Sequence, residues 1–325
     1  MLDYDKLLGK VTPEDQVLSP RELYLSLQKK DKKFDPYPRD VQGVVWEEWF
    51  KRREEKDLVL KMNTGGGKTT VGLMILKSCQ EQKKSPTVYV APNIVLAQQV
   101  RSEAELLGVE VTDNPSDPNF RRGTSILVTH IHKLINGKSV FGVLGDQRDP
   151  IPIGSIIFDD AHTCLETIED QFSLTIPNSE GHAYAEIFDL LYDSIEAQNL
   201  SAAMEIQDRA PRRSMMVPFW EWQSKNKEIT RILSRHTECE EMTFSWPLIK
   251  DCLIYSQCVV SSECIEITPH CIPLSQIPSV DHAARRIFMT ATLSDDAVLS
   301  THFAVSEETL RNPIVPSSAG DVGDR

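Results

Sequence analysis

Along this chain, short apolar runs alternate with stretches whose apolar residues recur at helical spacing. DLVLKM (57–62), PTVYVAP (86–92), SILVTH (125–130) and SIIFDD (155–160) are continuous apolar runs bounded by turn-forming residues. That is the pattern of strands buried on both faces. Between them, VGLMILKSC (71–79) and IVLAQQVRSEAELLG (94–108) read as helices, the second stopped by Gly108, and another helix begins at Ala161. Upstream, SPRELYLSLQKK is amphipathic with Pro20 as helix opener, and VVWEEWFKRREEK predicts a further helix. Strands separated by helices predict an α/β fold: a parallel sheet with helices on both faces. RRIFMTATL (285–293) predicts one more strand of that sheet. The roughly 120 residues before it differ in character and predict an inserted, mainly helical domain.

Composition narrows the class. The chain has 325 residues, 40% hydrophobic and 26% charged, as in an ordered globular protein and not a disordered one. No apolar run approaches the roughly 18 residues of a bilayer span, and MLDYDKLLGK lacks the apolar core of a signal peptide. A cytoplasmic protein with no membrane partner is expected. Seven cysteines without a secretory signal read as reduced thiols. The net charge of −13 means that any surface gripping nucleic acid must be a local groove in an acidic whole. The insertion is lopsided: residues 150–208 hold no Lys or Arg, whereas Arg209, Arg212, Arg213, Lys225, Lys227, Arg231 and Arg235 follow closely.

The candidate chemistry starts at TGGGKT (64–69), between a strand and a helix. That is the sequence form of a phosphate-binding loop. Gly65, Gly66 and Gly67 free the backbone to adopt positive φ and to close N–H groups around phosphate oxygens. The helix N-terminus adds partial positive charge. Lys68 is placed to reach the outer phosphates and the Thr69 hydroxyl to hold Mg²⁺, with Thr64 and Thr70 flanking. The strict pattern asks for Gly at position 62, where this chain has Met62. Some 90 residues on, SIIFDDAH puts two carboxylates at the end of a buried strand, where doubly wound sheets bind ligands. Asp159 is positioned for Mg²⁺ and Asp160 to polarise an attacking water. Both would alternatively cap the helix starting at Ala161.

These segments resemble, in order and spacing, the superfamily 2 helicases of DEAD/DEAH type. TGGGKT is similar to their motif I, DDAH (159–162) to motif II, TAT (290–292) to motif III and VAPNIVLAQQ (90–99) to motif Ia. PRDVQ (38–42) resembles their adenine-reading motif. The resemblance implies a RecA-like ATP-binding domain using ATP and Mg²⁺, with Gln42 reading the base and Arg39 or Tyr37 flanking it. It implies coupling through His162, Thr290 and Thr292, and strand contacts at Asn93, Gln98, Gln99, Thr129 and His130. The expected partners are single-stranded DNA or RNA and a second RecA-like domain, with a protein partner at the insertion as a further candidate. Domain boundaries follow: an N-terminal extension 1–36, the RecA-like domain at 37–162, the insertion at 163–284, the return of the sheet at 285–310 and a linker at 311–325. An insertion at this point is similar to the XPD/DinG group, whose iron–sulphur cysteines lie between motifs I and II; here only Cys79 does, so no cluster is expected. Asp160 stands where the family has Glu, one methylene shorter, and slow hydrolysis is expected.

Other features allow two readings. Cys239, Cys252, Cys258, Cys264 and Cys271 lack the paired C-x₂-C form of metal sites and suit a core. FWEWQ (219–223) among bases would be a stacking platform for single strands or a solvated helix over a buried Trp220 and Trp222. Lys29, Lys30, Lys32 and Lys33 read as a solvated linker, and Trp46 and Trp49 as core. Two functions fit: the motor half of an ATP-dependent helicase or translocase, and an ATP-gated binding module that never unwinds.

Overall fold

A computed structural model describes residues 18–28, 34–63, 65–146, 149–179, 183–291 and 296–316, apart from the side chains at positions 240 and 241. Thr64, Thr292, the lysines at 29, 30, 32 and 33, and most of the expected extension and linker lie outside the described residues.

The chain opens with α1 (Pro20–Ser26) and α2 (Asp40–Lys51), then β1 (Asp57–Lys61), α3 (Lys68–Glu81), β2 (Thr87–Ala91) and α4 (Ile94–Leu107). There follow β3 (Val111–Thr112), α5 (Pro118–Arg122), β4 (Ile126–His130), α6 (Ile131–Leu134) and β5 (Ser155–Phe158). The insertion carries α7 (Ala161–Gln171), β6 (Leu174–Pro177), α8 (Tyr184–Gln198), α9 (Leu200–Gln207), β7 (Ser214–Met216), α10 (Phe219–Arg235), α11 (Glu240–Ile249), β8 (Ser256–Ser261) and β9 (Cys264–Pro269). Then come α12 (Pro278–Asp281), β10 (Arg285–Thr290), α13 (Ala297–Phe303) and α14 (Glu307–Arg311). Local signals set the helix ends. Ser19 and Glu22 form a capping box ahead of Pro20, and Gly108 closes α4 at φ 84°.

Six parallel strands form one sheet in the order β1-β10-β5-β2-β4-β3. The sheet is α/β and RecA-like, with apolar faces on both sides. Leu58, Leu60, Tyr89, Ile157, Ile287 and Met289 belong to the core under α2, α3 and α4, whereas Val59, Val88, Val90, Ile156, Phe158 and Phe288 face the other way. The period-2 alternation of each strand divides its side chains between the two cores. Ile314 adds a parallel bridge to Leu60 at the free edge of β1.

β10 enters between β1 and β5 although some 120 residues separate it from β5. Two buried arginines open it. Arg286 holds Asp57 on β1 with Nε at 2.6 Å and a second nitrogen at 2.8 Å, and Arg285 reaches Glu54 at 3.2 Å. The insertion is mainly helical and also contains a four-stranded antiparallel sheet, β6-β9-β8-β7, whose two central strands carry Cys258 and Cys264. Its core is continuous with one face of the parallel sheet, from Phe158 through Ile168 and Ile187 to Trp222 and Cys258. The two oppositely charged halves of the insertion pair with each other: Glu186 binds Arg235 and His236, and Glu205 binds Arg213. Among the described residues no helix is long and apolar enough to cross a membrane.

Candidate functional site

The cleft of interest opens at the C-terminal edge of β1, β5 and β10. It has a volume of about 770 Å³, and its lining brings together Phe34, Tyr37, Arg39, Gln42, Gly65, Gly67, Lys68, Thr69, Asp159, Asp160 and Ala291. These residues span 258 positions of sequence, from 34 to 291, and only the sheet order joins them.

The loop between β1 and α3 turns on Gly65 (φ 92°) and Gly67 (φ 76°), conformations that a side chain disfavours. Gly66 differs from expectation: it is not at positive φ, and its N–H donates to the Asn63 carbonyl at 3.3 Å. A Cβ on Gly67 would also run into the Gln42 amide. Gln42 is therefore packed against the loop, 5% exposed, with its side-chain oxygen accepting from the Arg39 N–H at 3.1 Å. The Arg39 guanidinium donates to the Gly65 carbonyl at 2.9 Å, closing the base side of the cleft over the loop. Tyr37 is 74% exposed there, and the Tyr24 hydroxyl pins the segment by donating to the Asp35 carbonyl. Thr70 is turned away to donate to Glu103 on α4 at 2.9 Å.

Opposite the loop, Asp159 follows β5, its backbone N–H bonded to the Val90 carbonyl. Loss of solvation pushes its carboxyl above the usual range, against the Tyr89 hydroxyl and the Lys68 ammonium, which pull it down. Tyr89 donates to Asp159 Oδ2 at 2.8 Å, so a buried hydroxyl fixes one of the two candidate cation-holding groups. A hydroxyl and a carboxylate are hard oxygen donors of the kind Mg²⁺ takes alongside phosphates, and the lysine beside them suits a polyphosphate. The donor set fits Mg²⁺–nucleotide.

Asp160 sits at φ 47° and is exposed. It makes no side-chain cap to a backbone N–H; its carboxylate instead accepts from the Thr163 hydroxyl at 2.9 Å. His162 approaches Asp296, at the start of α13, at 3.6 Å; Asp296 is also paired with Lys61 at 2.7 Å. The Thr290 hydroxyl is buried, and the residue reaches the loop by its backbone, its carbonyl accepting from the Met62 N–H.

The expected strand-contact residues do not form one surface. Asn93 is exposed and caps α4, its side-chain oxygen accepting from the Leu96 N–H. Gln98 and Gln99 point to different sides of α4: Gln99 lines the nucleotide cleft and Gln98 a second depression beside Arg101 and Glu105. Thr129 is 2% exposed on β4, so the expectation that its side chain meets a strand is corrected. His130 is partly exposed at the end of β4. Burial, with nearby His132, Lys133 and Arg101, holds its imidazole below the usual range. It is neutral at pH 7 and would contact a strand by hydrogen bond. Replacing His130 with Gln should therefore leave the slope of log affinity against log salt unchanged for single-strand binding at pH 7.5; a slope lower by about one would show a phosphate ion pair.

FWEWQ divides between its two readings. Trp222 is fully buried, its Nε1 donating to the Leu253 carbonyl at 2.8 Å, and Trp220 is 71% exposed. Sequence reading missed Tyr24, Phe34, Lys61, Tyr89, Glu103 and Asp296. The apolar run VYVAP marks Tyr89 as buried, but nothing in it says where the hydroxyl goes.

The protein-family profile described as "Type III restriction enzyme, res subunit" matches residues 35–202, just over half of the chain. Among solved structures, "Structure of S. tokodaii Xpd4" is similar at 16% identity with a TM-score of 0.48, over 86% of this chain and 61% of that one. The chain thus spans less than two thirds of that structure's length. No curated protein matches the sequence.

Proposed function

The chain belongs to the type III restriction enzyme res-subunit family, as a superfamily 2 helicase-type ATP-binding half, and from that premise we propose that it binds ATP with Mg²⁺ as one face of a nucleic-acid motor. The observation that carries this reading is the meeting of Lys68, Thr69, Asp159 and Asp160 in one cleft at the C-terminal edge of the sheet. Gly65, Gly67 and the start of α3 cradle the phosphates, and Lys68 takes the outer ones. Arg39, Gln42 and Tyr37 line the base end. Thr69 and Asp159 would hold Mg²⁺, which when bound neutralises charge between the outer phosphates. Asp160 orients the attacking water, and His162, through Asp296, links the cleft to the segment after β10. Strand contact is assigned to Asn93, Gln98 and His130, on the same sheet edge as the nucleotide.

Among the described residues, the basic side chains lining the cleft are Arg39 and Lys68, and Arg39 is engaged by the loop carbonyl. An arginine supplied from a facing domain contributes roughly 10³–10⁵ in rate. These 325 residues should therefore bind ATP but turn it over slowly, with a rise of roughly 10³-fold or more once a second RecA-like half is supplied. A steady-state phosphate-release assay decides it: fast, strand-stimulated turnover by this chain alone would overturn the division of labour.

The second reading, an ATP-gated binding module without unwinding, is favoured by one observation. Asp160 is one methylene shorter than Glu and its carboxylate is held back by Thr163. Strand affinity that changes between ATP and ADP, without unwinding when the second half is present, would select it.

A further inference from the structure

Tyr89 lies on β2, in the interior of the sheet between β4 and β5, and its ring is fully buried. The ring crosses beneath α3 at Gly72, where a Cβ would come within 2.8 Å of the ring edge. Packing alone would be served by phenylalanine, since a buried hydroxyl is costly unless it is bonded. This hydroxyl is bonded: it donates to Asp159 Oδ2 at 2.8 Å, at the end of β5 and across the cleft from the start of α3.

We propose that Tyr89 is the positioning residue for the metal-bearing nucleotide. By holding one oxygen of Asp159 it leaves the other for the cation's shell. It touches neither nucleotide nor cation, and its whole effect passes through Asp159. This rests on the Mg²⁺–ATP reading above and adds a residue to it.

The test is Tyr89→Phe, which keeps the ring against Gly72 and removes only the hydroxyl. Binding of a fluorescent ATP analogue is measured in EDTA and then across a Mg²⁺ titration, with thermal melting alongside. Loss of a group that orients metal ligands lowers metal affinity by roughly 10–100-fold. The Mg²⁺ concentration for half-maximal effect should rise by that factor, with metal-free affinity and melting midpoint little changed. Asp159→Asn should abolish the Mg²⁺ effect, and Tyr89→Phe added to it should cost nothing more, because the two act as a unit. An unchanged Mg²⁺ titration in Tyr89→Phe, with Asp159→Asn impaired, overturns the role of Tyr89 alone. Equal losses in metal-free affinity and melting temperature would make the hydroxyl merely structural and also overturn it. If Asp159→Asn leaves the Mg²⁺ dependence intact, the cation site itself is misassigned and both readings fall.

Discussion

Lys68→Ala is expected to weaken binding of Mg²⁺–ATP by roughly 10–150-fold. The ammonium is the cleft's one basic group not already engaged by the loop, and a hydrogen bond to a charged group is worth about 1.5–3 kcal/mol. A second consequence adds to this loss. Lys68 is one of the groups pulling the Asp159 carboxyl down against its loss of solvation. Without the lysine that carboxyl is harder to ionise, and the cation loses part of its partner. Fluorescence titration with an ATP analogue measures the effect. Melting should be nearly unchanged, since Lys68 has no ion pair among the described residues. Wild-type affinity in Lys68→Ala would place the nucleotide outside this cleft.

The largest stability effect is expected at a pair away from the cleft. Asp57 and Arg286 form a bidentate ion pair between β1 and β10, with 13% and 3% of their side chains exposed. The same guanidinium donates to the Phe303 carbonyl and so fastens α13 to the sheet. Asp57→Ala leaves a buried cation with half its partners gone, and breaking such a pair costs about 3–5 kcal/mol. In urea unfolding the midpoint should fall with an unchanged slope. Asp57→Ala combined with Arg286→Met should cost less than the sum of the single changes, because the double variant leaves no unpaired charge. A loss below about 1 kcal/mol would mean that the pair is solvated and unimportant.

The two experiments probe different kinds of information in the chain. The phosphate loop is legible from its residues because its chemistry is local: glycines, a lysine and a hydroxyl at one strand-to-helix turn are already neighbours. DDAH is legible for the same reason, as carboxylates at the end of an apolar run. The helix boundaries at Ser19, Pro20 and Gly108 are likewise local. The pair Asp57–Arg286 is not legible, since 229 positions separate its members and an arginine opening an apolar run names no partner. The same holds for Asp296, which reaches His162 and Lys61 from a segment distant from both in sequence. Thr129 illustrates the opposite error. A threonine near a strand end reads as an accessible hydroxyl, yet Thr129 pairs with Val90 on β2 and is buried.

By itself, then, the sequence determined the glycine-rich loop with Lys68 and Thr69, the paired carboxylates, and the alternation of strand and helix that builds a parallel sheet. Each depends on interactions within about one turn or one strand. Only the tertiary structure decided that β10 enters between β1 and β5, that Gln99 faces the nucleotide and Gln98 does not, and that the Tyr89 hydroxyl reaches Asp159. Those outcomes depend on which strand lies beside which and how each helix is rotated. These are set by the packing of whole faces, which no single segment encodes.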